Sequence, residues 1–546
     1  MPQILYNKLY ILIIISFVLA ACGNSTSASS STSIPSAATE ESALQAETEK
    51  GSASSDEMEN PVTEAEITSS SNNAAIVVLT AAPVSSLDPY LMSVTHPDGS
   101  VAAHIWDTLI WLNSDLKLEP GLAESWQLVN NLVWEIKLRQ GVNFHNGEPV
   151  NAEAVTFSVE RAQTLPNSIE RFSTDVQLER IEVVDEYTIR FHTQEPTANF
   201  PYYLSSLEIL PPLYYGEANA TEIAEMPVGS GPYQFVEKTP EGGLTLKAVP
   251  DYWRGSPAIK MITFQPVPDA SQRAAELASG RADLITDLEP AQAITWDSAA
   301  GQLKTVESTR RIFVGVQIET GTPLADKRVR QALNYAVDVQ AIVDEMLDGY
   351  GQRYGNWVNS SNANISPWPF DPDKARQLLA EAGYNQGLDL VLDTPIGRYY
   401  QDEAVAQAIA EQLGQVGINV EIRAHDWPAY VDNYLLPRQT APLFLLGLNS
   451  RGNVLEDTAN LSFSFPFNLT GWQNAEFEQL LQEARKTFNE QQREALLNRA
   501  QEIAYEEAPW IWLWRQYNFY GVTPDLDWQP RADGLIYLFD NDKVVE

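Results

Sequence analysis

One cysteine in 546 residues, Cys22, leaves no partner for a disulfide and too few thiolates for a cysteine-built zinc or redox site. Basic side chains are also scarce, 35 Lys and Arg against 73 Asp and Glu, for a net charge of −38. A surface of that sign repels phosphate backbones, which excludes nucleic acid as a partner. The five histidines, at 96, 104, 145, 192 and 425, include no pair at the helical spacing of a metal site. No cofactor is expected. Nor is there a Gly-x-Ser-x-Gly elbow, a His-Glu-x-x-His pair or a phosphate loop. A secreted glycoside hydrolase would need two carboxylates about 5–10 Å apart, one with a raised pKa. Nothing singles out such a pair among so many acids, so the chain reads as a non-enzyme.

What is present begins with an apolar run over residues 9–18, behind a start whose only side-chain cation is Lys8. The run is too short for a lasting membrane span, and Leu19 Ala20 Ala21 Cys22 follows it. That order predicts a signal peptide over residues 1–21. It resembles the lipobox of bacterial lipoproteins, which implies a lipidated Cys22 at the mature N-terminus and an extracytoplasmic protein held to the membrane by that anchor alone. Residues 22–73 are Ser, Thr, Ala and Glu with scarcely a large apolar side chain, a composition that predicts a disordered tether. Trp, Tyr, Phe and aliphatic residues are plentiful in the remainder, enough for two lobes with cores of their own.

Along that body, residues 75–80, 132–138, 182–184 and 188–192 carry strand patterns, and residues 151–162 a helical one. Asp326 as N-cap predicts a helix burying Val329, Ala332, Leu333, Ala336 and Val337. Asp371 with Pro372 predicts another, burying Ala375, Leu378, Leu379 and Ala382 and stopping at Gly383. A helix over 401–416 breaks at Gly417 and feeds an alternating strand at 418–422. Two more helices, over 475–487 and 489–505, precede Pro509 and the aromatic stretch 510–520. Interleaved strands and helices predict an α/β fold.

Several segments taken together carry a resemblance. They are Leu87 Asp88 Pro89, His104 Ile105 Trp106 Asp107 Thr108 Leu109, Pro120 Gly121 Leu122 Ala123 Glu124 Ser125 Trp126, and the stretch from Leu138 Arg139 Gln140 Gly141 to His145 Asn146 Gly147. Further on come Pro227 Val228 Gly229 Ser230 Gly231 Pro232 Tyr233, Asp251 Tyr252 Trp253 Arg254 Gly255, and residues 328–338. Over residues 75–537 the chain resembles the extracellular solute-binding proteins that serve ABC importers of oligopeptides, dipeptides and nickel. The resemblance implies a bilobate, type II periplasmic-binding-protein fold, with lobe I from residues 74–309 and 510–546 and lobe II from 310–509. Two hinge strands are then expected near 310–317 and 509–514. It also implies a monomer that takes a small ligand, an oligopeptide or alternatively an oligosaccharide, and delivers it to permease subunits.

Several residues are candidates for the ligand site. Trp510, Trp512 and Trp514 fall at strand period, so their rings should share one face, either as an aromatic floor to the cleft or as core. Arg398, in Gly397 Arg398 Tyr399 Tyr400, matches a family segment that in dipeptide binders supplies an Arg to the ligand's carboxylate; a surface Arg is the other reading. Glu456 or Asp457 would stand where peptide binders place an acid for the ligand's amino group, although the loop 449–457 lacks the usual Asp, Tyr and Pro arrangement. His96 and Trp357 complete the set.

Overall fold

The computed structural model describes residues 75–166, 176–355, 365–450, 452–465, 468–539 and the backbone of 543–544. The signal peptide, Cys22, the tether and Trp357 lie outside the described residues.

Two long antiparallel strands organise the body: Gln302–Val316, of 15 residues, and Trp510–Val522, of 13. They sit in the middle of an 11-stranded sheet. On one side the sheet continues through Leu284–Ile285, Ala75–Thr80, Met261–Pro266, Leu244–Ala248 and Tyr233–Lys238; on the other through Leu443–Leu448, Leu388–Ile396 and Ile418–Asp426. The long pair belongs to both halves. Gln302 to Glu307 pair with Val522 to Tyr517, the register then lapses, and pairing resumes at Arg311 opposite Arg515. Bulges bend and twist a strand locally. Here the interruption bends the pair while its polar groups find other partners: the Ser308 hydroxyl donates to the Gln516 carbonyl at 2.5 Å, and Thr309 N–H to the Ala532 carbonyl at 2.8 Å.

The buried apolar side chains divide accordingly. One cluster draws on residues 76–284 and 520–538, and two others on residues 312–514. These are the cores of a bilobate α/β fold. The first lobe adds a separate four-stranded antiparallel sheet, Ala123–Asn130, Val133–Leu138, Thr188–Thr193 and Leu178–Asp185. In the second, Leu388–Ile396 and Ile418–Asp426 run parallel and are joined by the helix Asp402–Gln415.

The helices start where local chemistry says they should. Asn151 accepts from Ala154 N–H ahead of Ala152–Thr164, Asp326 from Arg328 N–H ahead of Lys327–Ala336, and Asp371 from Lys374 N–H ahead of Pro372–Glu381. Each such cap satisfies an N–H that the first turn leaves orphaned. Gly383 ends the last of these helices at φ +93°, a conformation a Cβ would strain.

A second irregularity in the long pair corrects one sequence expectation. Ile312 faces Trp514 but Phe313 faces Trp512, so Leu513 is an extra residue in its strand. The inserted residue reverses the alternation of faces. Trp510 and Trp512 therefore pack on one side with Phe313, whose ring stacks on Trp510 at 3.9 Å, while Trp514 joins Ile511 and Leu513 on the other. The three indoles do not share a face.

Candidate functional site

Between the lobes lies a cavity of about 730 Å³, within the roughly 300–1,000 Å³ usual for small-molecule sites. Its first-lobe wall is built from residues 286, 287 and 289–291, Thr95 and His96, and its second-lobe wall from residues 396–404 and Asn449. Ser308, Thr309 and Arg310, the residues at the lapse in pairing, form part of its lining. The hinge is thus in the wall of the cavity.

Arg398 is presented by a turn wrapped around one buried carboxylate. The oxygens of Asp402 accept from the N–H groups of Gly397 at 3.1 Å, Arg398 at 2.8 Å and Tyr399 at 3.1 Å. With its backbone so held, the Arg398 guanidinium lies over Trp427, 4.8 Å from the ring centre. Burial, and then the neighbouring Arg310, lower its pKa, yet a guanidinium stays protonated near neutrality. Arg310 donates through Nε to Asn449 Oδ1 at 2.9 Å. Neither guanidinium forms an ion pair with any described carboxylate. Two cations therefore face the cavity with their charge unopposed by a salt bridge.

On the opposite wall stands Asp287, exposed to the cavity and at φ +53°. Its neighbourhood is pinned from below by Arg273, a buried guanidinium that donates to the carbonyls of Val267, Pro268, Thr286 and Asp287 at 2.7–3.0 Å. His96 pairs through Nδ1 with the Ser100 hydroxyl at 2.9 Å, and its Nε2 is buried without a partner. Burial lowers the pKa of this imidazole, against the pull of Asp287 and Asp98, so the ring is neutral at pH 7.

The structure brings Arg398 and His96 to this cavity and places the other expected residues elsewhere. Trp510, Trp512 and Trp514 are buried in second-lobe packing and line neither cavity. Glu456 and Asp457 belong to a short helix, Val454–Ala459, capped by Asn453. Asp457 accepts from the Ser450 hydroxyl, and Glu456 reaches across the lobes to accept from the Tyr203 hydroxyl at 2.5 Å. Asn453 reaches across as well, to Asn199 at 2.9 Å. These contacts hold the lobes together away from the ligand walls. Sequence reasoning passed over Arg310 and Asp287. In Thr309 Arg310 Arg311 one guanidinium faces the cavity and the next is buried; strand alternation puts neighbours on opposite faces but does not say which face meets the cavity.

A smaller cavity of about 190 Å³ adjoins this one, sharing Thr95, Asn449 and Asp533. Asp107 lies in its wall and accepts from Tyr252 at 2.7 Å, Trp253 at 3.0 Å and Ser230 at 3.1 Å. Burial outweighs these donors and pushes its carboxyl up to about 6. A raised folded-state pKa means stability that is full below the unfolded value and is lost as pH rises through about 6. Between pH 4 and 7, D107N should therefore gain on the wild type by on the order of 2 kcal/mol in urea denaturation. A constant difference across that range would refute this.

The sequence pattern described as bacterial extracellular solute-binding proteins, family 5 Middle, matches residues 117–470. The chain belongs to this family. The glutathione-binding protein GsiB of Pectobacterium atrosepticum is 30% identical over 458 residues, 80% of this chain and 88% of that one. Among solved structures, the ABC transporter substrate-binding protein CtaP of Listeria monocytogenes superposes with a TM-score of 0.78 at 21% identity, over 86% of this chain and 99% of its own. The Helicobacter pylori periplasmic binding protein DppA, solved with the peptide STSA, gives 0.72 at 25% identity, over 86% and 98%. This chain is thus a bacterial extracellular solute-binding protein, and its relatives are binding proteins. Among its described residues, no cluster of three or more His, Cys, Asp or Glu side chains is placed to hold a metal.

Proposed function

We propose that this solute-binding protein captures a short peptide between its lobes and hands it to an importer's permease subunits. The observation that carries the reading is the pair of guanidiniums, Arg398 and Arg310, facing the interlobe cavity without salt-bridge partners. An Arg fork binds a carboxylate through two parallel charged hydrogen bonds, and a peptide's C-terminus provides one. That GsiB is a glutathione-binding protein and DppA was solved with a tetrapeptide supports the same ligand class. Trp510, Trp512 and Trp514, the indoles that could have floored an oligosaccharide site, are packed in the second lobe and offer it no surface.

The chain crosses between lobes at residues 308–310 and 515–517 in this reading, where the pairing of the long strands lapses. Rotation there carries Arg398 toward or away from the first-lobe wall and couples binding to closure. The protein works as a monomer, lipidated at Cys22 and tethered by residues 22–73, which keeps the binding body concentrated near its permease.

A ligand that binds only the folded state raises the melting temperature, so the test is a thermal-shift panel of di- to tetrapeptides, glutathione and malto- and cello-oligosaccharides. Peptides should raise it and sugars should not; the reverse outcome would sink the reading. For the best peptide, Arg398→Gln should weaken binding by about ten- to a hundredfold in calorimetry, the worth of one charged fork. Unchanged affinity would remove Arg398 from the site.

A further inference from the structure

Five carboxylates line the interlobe cavity: Asp287, Glu289, Asp402, Glu403 and Asp533. Three have visible structural employment in the fold. Asp402 is buried and accepts from the N–H groups of residues 397–399. Asp533 is paired with Arg531 at 2.7 Å. Glu403 lies in the first turn of the helix Asp402–Gln415, whose positive end favours an acid. Of the remaining two, Glu289 is the N-cap residue of the short helix Pro290–Ile294, where its N–H donates to the Gln292 side chain at 3.0 Å. Among the described residues, Asp287 neither caps a helix nor forms a salt bridge.

We infer that Asp287 is the ammonium-binding group of this site, so the ligand is a zwitterion lying across the cleft with its amine on the first lobe and its carboxylate on the second. The inference rests on the peptide reading. One Asp287 oxygen accepts from the Thr286 hydroxyl at 2.6 Å, and the other has no donor among the described residues. Its backbone sits in the left-handed region, at φ +53°, and is held there through the carbonyls of residues 286 and 287 by Arg273. A strained conformation persists where the surrounding structure enforces it, and such positions gather at ligand sites. Burial favours the protonated acid, but its neighbours, His96 first and then the Thr286 hydroxyl and the Arg273 and Arg310 guanidiniums, hold the carboxyl below the usual range. The group facing the cavity is thus an anion.

His96 supplies the second half of the recognition. In the tautomer this proposal requires, with the proton on Nδ1 and donated to Ser100, the buried Nε2 is an acceptor in the same wall. A carboxylate and an imidazole nitrogen are two of the acceptors that an ammonium group needs. Glu456 and Asp457, where the family resemblance would put the amine, are already bonded to Tyr203 and Ser450. An amine on one lobe and a carboxylate on the other give the ligand a grip on both, so that its two charges reward closure.

The test is calorimetry on the full-length protein with the best peptide and its N-acetylated form, for wild type and for D287N. Asparagine tolerates the left-handed conformation and preserves the shape, so folding is checked by an unchanged melting temperature without ligand. N-acetylation should weaken wild-type binding at least tenfold, and D287N should weaken binding of the free-amine peptide similarly. The two losses should not add, because both remove one interaction. Equal wild-type affinity for the two peptides, or additive losses, would overturn the assignment while leaving the peptide reading in place. Loss of the discrimination in Glu456→Gln or Asp457→Asn instead of D287N would move the amine to the second lobe. Failure of every peptide to bind would sink both readings together.

Discussion

Gly229→Ala is expected to cost about 3 kcal/mol or more and to leave little folded protein at 37 °C. The reason is space, since Gly229 has an ordinary backbone conformation. A Cβ there would stand 1.9 Å from the carbonyl oxygen of Ile105 and 2.7 Å from its carbon. Both are backbone atoms at the end of the helix Asp98–Ile105, so no side chain can swing aside. The contact is also fastened: Gly231 N–H donates to the Ile105 carbonyl at 2.9 Å, and His145 N–H to the Gly229 carbonyl at 2.8 Å. Forcing the segments apart would break these bonds, and overpacking of this kind alone costs about 1–3 kcal/mol. Gly141→Ala is the control. Gly141 sits at φ +77° with nothing within 4 Å of its Cβ position, so it should cost about 1–2 kcal/mol of backbone strain and no more. Urea denaturation followed by tryptophan fluorescence separates the two. Similar losses would mean that the turn's approach to Ile105 is looser than described.

Arg273→Met is expected to lower stability by about 3–5 kcal/mol and to weaken ligand binding with it. The Arg273 guanidinium is 1% exposed and satisfies four carbonyls. Burial lowers its pKa, opposed by Asp287 and Asp269, so the ion is retained at a desolvation cost that its hydrogen bonds offset. Methionine fills much of the volume but leaves those oxygens unsatisfied, at about 1–3 kcal/mol each before relaxation. Arg273→Lys should recover little, because an ammonium cannot span four acceptors arranged for a planar fork. Two of the carbonyls belong to residues 286 and 287, so the backbone under Asp287 loses its support as well. Denaturation and calorimetry on the same samples check both effects. A stable variant with full affinity would show that Arg273 is dispensable to this wall.

Asp371, Pro372, the apolar spacing of Ala375, Leu378 and Leu379, and Gly383 lie within a dozen residues of one another, and the helix they predicted is the helix found, Pro372–Glu381. The strand Ala75–Thr80 and the helix-to-strand passage at Gly417 were equally legible. Trp514 was not. Its face depends on one extra residue in the pairing of Trp510–Val522 with Gln302–Val316, strands some two hundred residues apart, and nothing near Trp514 records that register. Glu456 likewise reads as a loop acid until Tyr203 of the other lobe is set against it.

What the amino-acid order determined here was the α/β class, the family with its bilobate architecture, and those elements marked by clear caps and apolar periodicity, such as Pro372–Glu381. These rest on interactions between near neighbours in the chain, such as caps, turn glycines and apolar periodicity, and on motifs long enough to recognise. Tertiary structure alone decided which acid of 73 and which arginine of the pair at 310 and 311 face the cavity. A charged side chain leaves no local mark of its eventual partner: whether it caps, pairs or stays free for a ligand follows from segments that meet only once the long hinge strands have set their register.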